Sequence, residues 1–290
     1  MATEEKKLKP IQYNMEYSKE FIDLLNTTNE NLIGWGNPNA KILIIGCEPI
    51  TPSQNLLREI TYNRKQWLKN SENLSLLQKW LESLGQYPEG NSDYNPCRDK
   101  DDLVCGLPYY NPRFQLNAKC RTWSQYQNFT KLCLKKMNLQ HERRTEFQND
   151  FYDYCFVTDL SAAAAPCKNE VNRVEAKKSI EDRMNNLFQF EFFQKFPIIV
   201  ADCGHYVRDY NIQLDELFKV PYLEKESIHE QRQWIHVHKS ETSEPKILLH
   251  TVHFSSRVKN KFIENVAEKC VDFATQNKID LFSTSRHPDI

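Results

Sequence analysis

Four apolar runs of strand length constrain this chain more than any other feature. Residues 41–45 (KILII), 152–160 (YDYCFVTDL), 197–203 (PIIVADC) and 246–253 (KILLHTVH) are rich in β-branched and large apolar side chains, and helical patterns lie between them. Strands that read as near-continuous apolar runs belong to a parallel sheet covered on both faces. Strands separated by helices imply a doubly wound arrangement. The expected fold is therefore α/β: one three-layer α/β/α domain over residues 1–290, built on a central, mainly parallel four-stranded sheet.

The patterns between the runs predict helices over 15–25, 53–85, 123–137, 171–196 and 258–276. Residues 205–230 read as short helices and loops, and 233–239 alternates like an edge strand. Residues 86–121 carry Pro88, Pro96, Pro108 and Pro112 among Tyr94, Tyr109, Tyr110 and Phe114. Together with the helical stretch before them they read as a helical and loop insertion at about 54–121, and so long an irregular segment in a compact domain points to function.

Composition narrows the class. A 40% hydrophobic content suffices for a core, and no apolar run reaches the ~20 residues of a membrane span. The N-terminus MATEEKKLKP has charges where a secretion signal has an apolar centre, so a cytoplasmic protein is expected, with no membrane partner. The nine cysteines are spread through apolar segments without a short-domain framework and read as buried thiols. A net charge of −1 argues against non-specific coating of nucleic acid but leaves room for a local basic patch. Of seven glycines, Gly34, Gly36 and Gly46 bracket the first strand, concentrating backbone freedom there.

In open α/β sheets ligands sit at the carboxyl ends of strands. Cys47, Glu48 and Ile50 follow the first run, Asp159 closes the second, Gly204 and His205 follow the third, and His253, Ser255 and Ser256 follow the fourth. The last group brings an imidazole, two hydroxyls and backbone N–H groups to one point, suited to a phosphate and a polar leaving group. Either serine reads equally well as the N-cap of the last helix. Arg257, Lys259 and Lys261 make the local basic patch. His236 and His238 share one strand face, but no Cys or carboxylate completes a four-ligand set, so no metal and no other cofactor is expected.

Taken in order, these marks resemble the uracil-DNA glycosylase superfamily. The opening GWGNPNAKILIIGCEP is similar to the family's first motif, GLPYYN at 106–111 to its G-V-P-F segment, FVTDL at 156–160 to its strand ending in Thr-Asn, and His253-Phe254-Ser255 to its His-Pro-Ser. The resemblance covers roughly residues 34–270. The chain departs from the better-known branches at Glu48, Asp159 and Phe254, and the cysteine ligands of the iron–sulfur branches have no counterpart.

The resemblance implies a monofunctional glycosylase acting on DNA, as a duplex with a flipped base or a single strand, in an enzyme expected to be a monomer. Glu48 would stabilise positive charge on the sugar and activate water, and His253 would donate to the O2 of the departing pyrimidine. Tyr109 would stack on the base, with Cys47, Ile50 and Asp159 lining the base pocket. Ser255, Ser256, Arg257 and Lys259 would hold the DNA backbone, Arg257 also filling the space left by the flipped base. No lysine stands as a Schiff-base nucleophile, so strand cleavage is not expected.

Asp159 stands where the family has an asparagine that reads uracil. A carboxylate accepts from the cytosine N4 amino group, and a protonated carboxyl both accepts from N4 and donates to N3. Ile50, in place of a Tyr that blocks the pyrimidine C5, leaves room for a 5-substituent. The expectation is release of a 5-modified cytosine such as the hydroxymethylated or glucosylated base of phage DNA, by analogy with a superfamily branch that defends bacteria. The rivals are a uracil-DNA glycosylase of base-excision repair and a non-catalytic DNA-binding protein retaining the fold.

Overall fold

A computed structural model of the chain describes residues 17–28, 30, 32–48, 67, 121–139, 151, 154–163, 171–228 and 232–282. Among them seven strands form one sheet: β1 Trp35–Gly36, β2 Ile42–Gly46, β3 Cys155–Asp159, β4 Ile198–Ala201, β5 Tyr222–Ile228, β6 Gln233–Ser240 and β7 Lys246–Thr251. Their order is β1-β3-β2-β4-β7-β6-β5. The four apolar runs form its parallel heart, β3-β2-β4-β7, and β1, β6 and β5 add antiparallel flanks. The sheet is thus wider than the expected four strands.

Side chains alternate across the parallel heart, as the two-residue period of a strand requires. Ile42, Ile44, Val157, Val200 and Leu249 face one buried cluster, supplied by α2 Arg121–Lys136 through Phe129 and Cys133 and by α7 Asn260–Gln276 through Phe262, Val266 and Cys270. Leu43, Ile45, Phe156, Ile199 and Leu248 face the other, with Phe21 and Leu24 of α1 Lys19–Thr27 and the rings Phe188, Phe192 and Phe193. Helices on both faces make the expected three layers. They also explain why the strands read as continuous apolar runs rather than alternating ones.

Three expectations are corrected. The single helix over 171–196 is α3 Arg173–Asp182, a π-helical turn Arg183–Leu187 and a separate short α4 Glu191–Gln194. Residues 205–230 hold α5 Tyr206–Asp209 and α6 Leu214–Phe218, and also the strand β5, whose charged, mostly exposed sequence carries no apolar period. Because β5 takes the edge, β6 is an interior strand, so the predicted edge strand at 233–239 is not one. Of the helix predicted at 53–85, Trp67 is described. It is helical, fully buried, and its indole N–H donates to Gly34 O at 2.9 Å. The remainder of that helix, and the loop at 86–120, lie outside the described residues. No described helix is long and apolar enough to cross a membrane.

Candidate active site

The topology fixes where a site forms. From β2 the chain passes to β3 on one side, then crosses back to β4 on the other and continues outward to β7. The switch in direction lies between β2 and β4, and the crevice outside their carboxyl ends is the place such sheets leave for ligands. The registers keep the four ends level: Gly46 pairs with Asp159, Ile45 with Ala201, and Ala201 with His250. Glu48, Asp159, Asp202 and His253 therefore emerge on one rim.

The exits are stitched together. Leu160 N–H donates to Gly46 O and Ser161 N–H to Cys47 O, both at 2.9 Å. Cys47 Sγ–H donates to Cys203 O at 3.5 Å, Cys203 Sγ–H to Ile45 O at 3.2 Å, and Gly204 N–H to Thr251 O at 3.0 Å. Backbone groups that lose their ladder partners at strand ends must be satisfied locally, and here that need ties all four loops into one frame.

His253 is half-buried, and its two ring nitrogens are distinct. Nδ1 accepts the Ser255 backbone N–H at 3.2 Å and meets Ser255 Oγ at 2.5 Å. An acceptor nitrogen carries no proton, so in the neutral ring the proton resides on Nε2 and Ser255 Oγ–H is also a donor. Nε2 lies 3.9 Å from Asp202 Oδ2, beyond hydrogen-bond length. Phe254 is fully buried and packs its ring against Tyr126 and Phe262, anchoring the loop.

Asp159 follows Thr158 at the end of β3 and sits against Gly46, where any side chain would strike the Asp159 carboxyl oxygen. Burial pushes the Asp159 carboxyl from its ordinary 3.8 up to about 7, Arg183 pulling it down and Glu48 pushing it further up. Arg183 lies behind the strand, fully buried, donating from Nε to Asp159 O at 3.1 Å, from one terminal nitrogen to Thr158 Oγ1 at 2.9 Å, and from the other to Leu32 O at 2.6 Å and Glu30 Oε2 at 3.0 Å.

Glu48 is half-buried, and burial first and then the nearby Glu48 drive the Tyr206 phenol upward. Tyr206 and Tyr210 meet edge to face at 5.1 Å beside it. Burial, then Cys203 and the three nearby acids, hold the Cys47 thiol well above its usual range, which makes it a wall of the crevice rather than a nucleophile.

Ser255 is half-buried and committed to His253, while Ser256, Arg257 and Lys259 are exposed on the turn leading to α7. The N-cap of α7 is Lys259 and has no side-chain capping bond, so neither serine caps it. That reading is withdrawn for both. Of the base-pocket residues, Cys47 and Asp159 share the rim, whereas Tyr109 and Ile50 lie outside the described residues. Among the described residues no group of three or more His, Cys, Asp or Glu has an arrangement to hold a metal. His250 instead bonds Gly204 O at 2.8 Å and packs on Trp234, burial lowering it to about 4 so that it stays neutral.

Sequence reasoning missed Asp202, Tyr126, Tyr206 and Arg183. Asp202 had a usable signal, since it follows β4 as Cys47 follows β2. It was hidden because the apolar run appeared to extend to Cys203. The other three are brought in by helix packing, which strand-end reasoning does not reach. No protein-family model, curated protein or solved structure matches the chain.

Proposed function

We propose that the chain is a DNA glycosylase that hydrolyses the N-glycosidic bond of a flipped, 5-modified cytosine and leaves an abasic site. What supports this reading above all is the tautomer of His253. A neutral imidazole with its proton on Nε2 is a donor at the crevice that also holds Glu48 and Asp159. As C1′–N1 breaks, negative charge gathers on the base O2 and positive charge on the sugar. His253 Nε2–H steadies the first and the Glu48 carboxylate the second. Water adds to C1′, its proton passing to Glu48 or solvent, and the departing base takes up a proton.

Asp159 reads the base. Held protonated up to about pH 7, it donates to N3 and accepts from the N4 amino group of a cytosine. The exposed Arg257 and Lys259 and the Ser256 hydroxyl bind backbone phosphate. The role in defence against modified phage DNA rests on analogy with the resembling superfamily.

Duplexes and single strands carrying U, C, 5-hydroxymethylcytosine or its glucosylated form test the reading. Release of the modified cytosines, lost by about 10²-fold or more in Glu48→Gln and His253→Ala with DNA binding retained, is expected. Activity confined to uracil replaces the cytosine reading with the uracil one. DNA binding without release of any base leaves a binding protein.

A further inference from the structure

Among the described rim acids, Asp202 is the one that the proposed chemistry does not use, and it is completely buried. A buried carboxyl needs partners for both oxygens, and Asp202 has them. Oδ1 accepts the Phe254 backbone N–H at 2.6 Å, and Oδ2 meets the Tyr126 hydroxyl at 2.9 Å. Phe254 directly follows His253, so the first bond fixes the peptide that carries the imidazole. Tyr126 belongs to α2, so the second ties that peptide to the helical layer. Oδ2 also faces His253 Nε2 at 3.9 Å, while Ser255 holds the opposite ring nitrogen.

We propose that Asp202 is the positioning residue for His253, gripping the loop by hydrogen bonds so that the Nε2–H edge is held toward the departing base. This rests on the reading of His253 as the donor to that base. The role is one of hydrogen bonding rather than charge. An anion 3.9 Å from Nε2 would oppose the negative charge that develops on the leaving base. Burial works against that charge by pushing the Asp202 carboxyl well above its usual range, while the Tyr126 and Phe254 donors favour ionisation. Asp202 accepts through both oxygens, from the Phe254 N–H through one and from the Tyr126 hydroxyl through the other.

Asparagine has no titratable group; it keeps the Phe254 bond through its amide oxygen and keeps the Tyr126 contact with the donor reversed, its NH2 donating to the hydroxyl oxygen. Alanine reproduces neither. The test compares the full-length parent, Asp202→Asn and Asp202→Ala by 15N NMR of the histidine ring nitrogens, alongside kcat and KM for release of 5-hydroxymethylcytosine from a duplex. Expected are an Nε2–H tautomer for His253 in the parent and in Asp202→Asn, with kcat within about 3-fold, and a mixed tautomer in Asp202→Ala. In that variant kcat falls about 10²-fold with KM little changed, the size expected for a misplaced catalytic group.

An unchanged His253 tautomer in Asp202→Ala overturns the proposal. So does an Asp202→Asn variant that folds with its tautomer lost, and that comparison decides the matter if the alanine variant does not fold. The NMR result does not depend on the reaction. If the tautomers behave as expected while the parent releases no base, the glycosylase reading fails and the positioning role stands.

Discussion

At Asp159 two forces oppose each other. Burial favours the neutral acid, the Arg183 guanidinium behind the strand favours the carboxylate, and burial prevails at about 7. If the protonated form reads cytosine, the alkaline limb of base release falls about tenfold per unit above pH 7, measured as kcat/KM across pH. Stability has the same sign. The folded chain keeps a proton that the unfolded chain releases near 3.8, so Asp159 contributes fully below that pH and its contribution is lost as pH rises through about 7. Asp159→Asn removes its share of that decline in urea midpoints. It also shifts the ratio of kcat/KM for uracil over cytosine substrates upward by about 10²-fold or more, since a mispaired polar reader is costly. A ratio that does not move takes the reading role from Asp159. Glu48, Asp159 and His253 were legible in the sequence because each follows an apolar run. Tyr126 and Tyr206 were not, because only folding brings the first to hydrogen-bond Asp202 and the second near Glu48.

The element that most shapes the site from behind is the π-helical turn after α3. It delivers Arg183 into the core, where four acceptors from two chain segments hold the guanidinium. An extra residue in a helical turn of this kind recurs at functional sites. Arg183→Met leaves Glu30 without its charge partner and the end of β3 unsupported, so a loss of about 3–5 kcal/mol is expected in urea unfolding. A variant as stable as the parent would show that the cluster is dispensable. The sequence read as one helix over 171–196 because apolar residues recur throughout. The chain breaks after Phe188, and Phe188, Phe192, Phe193 and Phe196 all enter the same core. The strands β1 and β5 escaped for opposite reasons. One is two residues long, and the other is a charged edge whose hydrogen bonds to β6 need no apolar face.

Across the whole molecule, charge and topology act at different ranges. If the chain binds DNA, a net charge of −1 offers little long-range attraction, and affinity would come from the few cations beside the crevice. Arg257 and Lys259 are exposed there, while Lys261 is drawn to Glu264 at 3.4 Å. Lys259→Ala is expected to weaken binding about equally for all sequences and to lower the salt slope of log Kd by about 1, read from fluorescence anisotropy at several salt concentrations. An unchanged slope places the phosphate track elsewhere. The parallel heart of the sheet was legible because four buried strands leave four apolar runs. The order of the strands was not, since it depends on which helix packs on which face.

The central claim is that this crevice breaks the glycosidic bond of a modified cytosine, and mass spectrometry of the bases released from DNA containing glucosylated 5-hydroxymethylcytosine tests it most directly. The parent chain should release the intact modified base in equal number with abasic sites, and Glu48→Gln should release none above background. Release of uracil alone from matched substrates, or of no base at all, would contradict it.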